Sequence, residues 1–172
     1  MFARNQNKKS GFTLVEILIV VIILGILAAI VIPQFTSASQ DARKNSLTSQ
    51  LQTLRSQLEL YKLQHLDQLP TKLVATPFNW SQLTAKTDNV GATGVGTAFP
   101  FGPYLQADPI NPLNGKFAVL ADTIEYTGGD AVTGASNKGF VMNSANGKIW
   151  GTSAKYGYIY NETNSSDANN DN

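Results

Sequence analysis

No cysteine occurs among the 172 residues, so disulfide frameworks, thiolate metal sites and thiol nucleophiles are excluded and stability has to come from packing. Histidine is almost as scarce. His65 is the only one, in a helical stretch where a core-edge or solvated role is far commoner than a catalytic one, and no triad can be built around it. An excess of one charge is also missing: 13 Lys plus Arg stand against 12 Asp plus Glu, which gives no electrostatic reason to expect a nucleic-acid partner. Gly94-Val95-Gly96 lacks the third glycine of a dinucleotide loop. Asp167, Asn169 and Asp171 have the spacing of an EF-hand start, but Asn172 stands where that loop turns on glycine. Sequons at Asn79, Asn161 and Asn164 arise easily in so Asn-rich a composition. These absences leave no catalytic constellation and, at this length, room for about one domain.

Charge is scarcest between Phe12 and Ile32, where FTLVEILIVVIILGILAAIVI carries Glu16 alone. As a helix this run is about 31 Å long, close to the ~30 Å hydrocarbon core of a bilayer. Ahead of it lie Arg4, Lys8 and Lys9 with no acid, which predicts a cytoplasmic N-terminus and an exported C-terminal part. A secretory signal cleaved near Ser37-Ala38-Ser39 is one reading, but the apolar run is too long for it. A plain single-pass anchor is another, and it gives Glu16 no purpose against a cost of ~2.5–3.5 kcal/mol at mid-bilayer.

The residues KKSGFTLVEILIVVIILGILAAIVIPQF, from Lys8 to Phe35, resemble the class III signal of type IV pilins and type II secretion pseudopilins. The resemblance implies that a prepilin peptidase cuts between Gly11 and Phe12, that the new Phe12 amine is N-methylated, and that Glu16 is the acid used in assembly. An ionised group in hydrocarbon needs a partner of opposite sign. The Phe12 amine lies one helical turn from Glu16 on the same chain, and a neighbouring copy presents the same amine. Snorkelling of Glu16 to the interface is the plainer alternative. Gly25 and Pro33 are weak points of the helix, and a bend is expected near Pro33. The resemblance implies that this region loses helical order on assembly.

Beyond Pro33, Leu47, Leu51, Leu54, Leu58 and Tyr61 recur at 4-3-4-3 spacing and predict one apolar stripe. The run is too short to favour a coiled-coil seam over packing on its own domain. A helix from Phe12 to about Leu66, ended by Pro70, is expected. From Gln68 the composition turns to Gly, Asn, Thr and Pro, predicting short strands and long loops. Asn146-Gly147 marks a hairpin between Phe140–Met142 and Lys148–Trp150. Lys116–Leu120, Thr123–Thr127 and Tyr156–Tyr160 are further candidate strands, and Asn79–Gly102 reads as a surface loop. The expected fold is α+β, a long N-terminal helix packed on a small antiparallel sheet. Its parts are a leader at 1–11, a transmembrane and filament-core helix at 12–32, a stem at 33–67, an exported domain at 68–160 and a disordered polar tail at 161–172.

GPYLQADPINPLNGK, residues 102–116, partly resembles a region of the major type II pseudopilin through Asp108-Pro109 and Asn111-Pro112. That family's Gly- and Asp-rich calcium loop has no clear counterpart, so the expectation is no cofactor, with calcium as the alternative, and the metal position stays unassigned. Classical type IV pilins more often close their C-terminal region with a disulfide, which this chain cannot form. The resemblance implies a subunit of a helical homopolymer in the bacterial inner membrane. Prepilin peptidase, an assembly platform and minor pseudopilins would be its partners, and export of folded proteins its task. A type IV pilus pilin for adhesion, twitching or DNA uptake is the alternative. Loss of residues 1–11 would move the formal charge from +1 to −2.

Overall fold

The computed structural model describes residues 11–74, 78–155 and 157–163. The expected leader up to Ser10, Tyr156 of the third candidate strand, Asn164 and the Asp167–Asp171 spacing lie outside them. Contacts divide the chain into two units, Met1–Ser39 and Gln40–Asn172.

Helix α1 spans Leu14–Gln64. In the first unit it runs through Gly25 and Pro33 without interruption in the single chain. Proline costs one backbone hydrogen bond there, and the hydroxyls of Thr36 and Ser37 bond back to the carbonyls of Ile32 and Pro33, both at 3.1 Å. Apolar side chains cover every side of this stretch, so no single face is selected for burial, and all from Phe12 to Phe35 are exposed.

In the second unit the predicted stripe is the centre of the core. Leu47, Leu51, Leu54, Leu58 and Tyr61 are at most 1% exposed. They pack with Leu73, Trp80, Leu83, Phe140, Met142 and Ile149. Burial of each large apolar side chain contributes roughly 1.5–3 kcal/mol, so the stripe is held by its own domain and not left as a coiled-coil seam. The helix does not end on Pro70. Leu66 (φ 56°) and Asp67 (φ 63°) turn left-handed, and Asp67 N–H bonds the Lys62 carbonyl at 2.9 Å, closing the last turn. Pro70 instead stands immediately before the short helix α2, Thr71–Val74.

Asn79–Gly102 is not the surface loop expected from its glycines and threonines. It contains helix α3, Ser81–Thr84, and an antiparallel ribbon of β1, Lys86–Thr87, with β2, Thr93–Gly94. Trp80 and Leu83 anchor it in the core. The Trp80 indole N–H donates to the Phe117 carbonyl at 2.9 Å. Buried Gln82 joins its neighbours by accepting from Lys72 N–H and donating to the Gly91 carbonyl, each at 2.7 Å.

The main sheet has three strands in the order β3, Val119–Asp122, then β4, Phe140–Asn143, then β5, Ile149–Gly151. β4 and β5 form the predicted hairpin, with Met142 opposite Ile149 and Phe140 opposite Gly151. Only Gly147 of the Asn-Gly pair takes positive φ, because the connection over residues 144–148 is longer than a two-residue turn and is nucleated by Asn143, whose Oδ1 accepts from Ala145 N–H at 2.8 Å. β3 runs parallel to β4, so the sheet is mixed and not purely antiparallel. Parallel neighbours need a crossover of a dozen or more residues, and residues 123–139 supply it. For the same reason Thr123–Thr127 is connection and not strand. Residues 158–160 make isolated bridges, Tyr158 to Ala131 and Ile159 to Thr152, in place of a third regular strand.

Phe140 and Met142 point to the α1 core, while Val141 joins Val132, Ala135 and Ile159 on the other face, so β4 is buried on both sides. Gly151 is where β5 comes closest to α1: an added Cβ would lie 2.9 Å from the Leu47 side chain. The start of the expected tail is tied down. Glu162 pairs with Arg55 at 2.5 Å, and Arg55 also donates to the Ile149 carbonyl at 2.9 Å.

Candidate functional site

The positions predicted for cleavage, methylation and assembly, Gly11, Phe12 and Glu16, lie at the beginning of α1. Gly11, Phe12 and Thr13 precede the helix and are exposed, and nothing lies within 4 Å of a side chain built at Gly11. The Gly11-Phe12 peptide is therefore open and outside regular structure. Thr13 takes the position before the first helical residue. Its Oγ1 accepts from Glu16 N–H at 3.2 Å, and the Glu16 carboxylate accepts from Thr13 N–H at 3.4 Å and from the Thr13 hydroxyl at 3.5 Å. This is a capping box. Two of the four backbone N–H groups left without helical partners are satisfied reciprocally, and the carboxylate sits at the positive end of the helix dipole.

Thr13 is the capping residue that the sequence reading passed over. Its signal was legible, a threonine three residues before a glutamate at the head of an apolar run. Glu16 is oriented by a neighbour two residues after the predicted scissile bond. A free amine at Phe12 would lie next in the chain to the N–H that the carboxylate already binds. Gly25 and Pro33 lie further along the same helix and are not brought to this site.

Other singled-out residues are structural. His65 is buried, stacks on Tyr61 with ring centroids 3.8 Å apart, and lies 2.8 Å from the Tyr61 carbonyl and 3.0 Å from the Thr87 hydroxyl. Asn111 is fully buried. Its Nδ2 donates to the carbonyls of Gly139 at 2.7 Å and Thr152 at 2.8 Å, and its Oδ1 accepts from Leu113 N–H. Tyr104 donates to Gln64 Oε1 at 2.6 Å, and burial raises its pKa. Asp108 lies on a groove of about 470 Å³ beside Gln50 and Ile110. Among the described residues no three His, Asp or Glu side chains gather as metal ligands.

Among the described residues one helix, α1, is long and apolar enough to cross a membrane. The family pattern described as "Prokaryotic N-terminal methylation motif" matches residues 6–32, which bracket the capping box. A protein of Pseudomonas aeruginosa described as "Type II secretion system core protein G" is 42% identical over 116 residues, 67% of this chain and 76% of that one. The chain belongs to the type II secretion system core protein G family. Another member, from Klebsiella pneumoniae, is 29% identical over 67% of this chain and 77% of its own. One from Dickeya chrysanthemi is 41% identical over 58 residues, and there the match spans 38% of the relative's length. No solved structure matches the chain significantly. The family makes this protein a pseudopilin of the type II secretion system, a structural subunit, and does not favour the type IV pilus alternative.

Proposed function

We propose that this pseudopilin is inserted in the inner membrane by residues 12–32 with its N-terminus cytoplasmic. It is cut by prepilin peptidase between Gly11 and Phe12, methylated at Phe12, and assembled by a membrane platform with minor pseudopilins into a homopolymer that drives folded proteins across the outer membrane. The observation that carries this reading is the Thr13–Glu16 box at the head of an otherwise uncharged and exposed apolar helix. An anion held at the first turn is placed for a cationic amine, and the apolar side chains behind it, from Leu14 to Phe35, are exposed among the described residues.

In this mechanism the capping box keeps Glu16 oriented until the amine of a neighbouring Phe12 arrives. The two opposite charges are then neutralised where water is excluded and fix the axial register of the two copies. Apolar contacts along 12–32 supply the remaining association, with Gly25 to Pro33 as the stretch that yields. The subunit itself catalyses nothing, and assembly draws its work from a cytoplasmic ATPase acting with the membrane platform.

Intact-mass measurement of the protein from membranes tests the first step. The expected species begins at methylated Phe12. A species retaining Met1, or one beginning near Gln40, overturns the processing reading. For the second step, Glu16→Ala is expected to remain in the membrane and lose filament formation. Polymers of normal length from that variant would remove the electrostatic docking.

A further inference from the structure

Asp41 and Arg43 stand two residues apart on α1 at the beginning of the second unit, and both are exposed. Each helical residue is turned about 100° from the last, so this spacing puts the two side chains on nearly opposite sides of the helix. They cannot pair with one another. Partners within the helix would have to lie three or four residues away. For Arg43 those positions are Ser39, Gln40, Ser46 and Leu47, none of them acidic. For Asp41 they are Ser37, Ala38, Lys44 and Asn45, and Lys44 is buried and engaged within the chain.

Most acids of the second unit are answered inside it. Glu59 and Asp67 face Lys62, Glu125 meets Lys148, and Glu162 meets Arg55. Asp88 accepts from the N–H groups of Val90 and Ala92, Asp122 from the Tyr126 hydroxyl and Asp130 from Thr127. Among the described residues this leaves Asp41 and Asp108 as carboxylates that a cation of another copy can reach. Asp108 belongs to the Arg43 side of α1. It lines a groove with Gln50, which lies seven residues, close to two full turns, beyond Arg43. Asp41 faces the other way.

Identical subunits that stand in one membrane with the same orientation, and join in an open series, use a different face toward each neighbour. A cation turned toward one neighbour then requires an acid turned toward the other. We propose that Arg43 of each copy pairs with Asp41 of the next, a side-by-side contact between stems that repeats along the polymer and selects a second copy of this chain by charge. This rests on the anchored homopolymer reading above. An exposed pair of this kind gives orientation and register more than affinity, and salt weakens it.

The test uses the full chain in cells that carry the assembly platform, with polymer yield and membrane level measured for each variant. Arg43→Asp and Asp41→Arg should each lower polymer yield on the order of fivefold. Asp41→Arg/Arg43→Asp exchanges the signs and keeps the match, so it should recover most of that loss, which a merely structural role for either residue would not do. Membrane level and denaturant unfolding of the domain should be the same in all three, because both side chains are exposed. Normal yield from both single variants overturns the proposal, and so does a double variant no better than the singles. Recovery by Asp108→Arg/Arg43→Asp instead overturns it in favour of Asp108 as the acid. Absence of polymer from the unaltered chain overturns the homopolymer reading and this pairing with it, whereas normal polymer with no response to the reversals overturns the pairing alone.

Discussion

Between Leu14 and Ser39, α1 turns apolar side chains outward on every side, whereas between Gln40 and Gln64 it buries one stripe and leaves the opposite side polar. Backbone geometry is helical throughout, so the contrast lies in side-chain pattern. A stripe selects a partner within the chain, because one face gains about 25 cal/mol per Å² of apolar surface while the other keeps its water. A helix that is apolar all round has no such preference and is stable only in lipid or against other copies of itself.

The largest expected effect tests that contrast directly. Leu51→Ala removes a fully buried side chain and should cost the domain about 2–5 kcal/mol, whereas Ile23→Ala should leave domain unfolding within about 0.5 kcal/mol. Denaturant unfolding of the mature protein in detergent, followed by tryptophan fluorescence, measures both. Comparable losses would mean that the two stretches are not differently partnered.

Asn111→Ala comes next. It removes the amide that donates to the carbonyls of Gly139 and Thr152 in a buried site, for an expected loss of about 1–3 kcal/mol in the same assay. The domain then depends on a polar knot as well as on the α1 stripe, and the first unit has no equivalent.

Glu162→Gln should cost less, about 0.5–1 kcal/mol, because the Arg55–Glu162 pair is partly solvated and Arg55 keeps its bond to the Ile149 carbonyl. The difference should shrink in high salt. A larger, salt-independent loss would show that the pair closes the C-terminal segment by packing and not by charge.

How much of this could be read beforehand follows the same division. The apolar run, Glu16 and the 4-3-4-3 stripe are local periodic signals, and the structure places the stripe where its spacing put it. The Asn143–Lys148 hairpin was legible for the same reason, since a turn and its two strands are contiguous. The parallel pairing of β3 with β4 was not. It depends on how residues 123–139 return across the sheet, which no local pattern encodes. Trp80 and Leu83 were hidden by the Gly- and Thr-rich residues around them. Asn111 was noticed only in an Asn-Pro pair, and its value lies in carbonyls 28 and 41 residues away. Thr13 is the opposite case, a short-range capping signal that was present and overlooked.

The smallest effect at neutral pH is a titration confined to the domain. Residues 11–39 contain no tyrosine, so the first unit has none to ionise. In the domain, burial first, then the charges of Tyr104 and Asp88, push the Tyr61 hydroxyl up to about 12. Desolvation and the Asp122 carboxylate push Tyr126 up to about 12 as well. Both values exceed the ordinary 10.0, so the fold holds the neutral phenols, and the stability they confer is intact below pH 10. It should be lost progressively as the pH rises from 10 toward 12, because the unfolded chain ionises first. Near-ultraviolet circular dichroism should show the domain loosening in that window, while a far-ultraviolet helix signal from the apolar stretch persists in detergent. Tyr61→Phe and Tyr126→Phe should each flatten part of the alkaline slope and leave stability at pH 7 little changed. An alkaline loss equal in both signals would mean that the two stretches of α1 unfold as one, and the contrast between them would then hold for their surfaces but not for their stability.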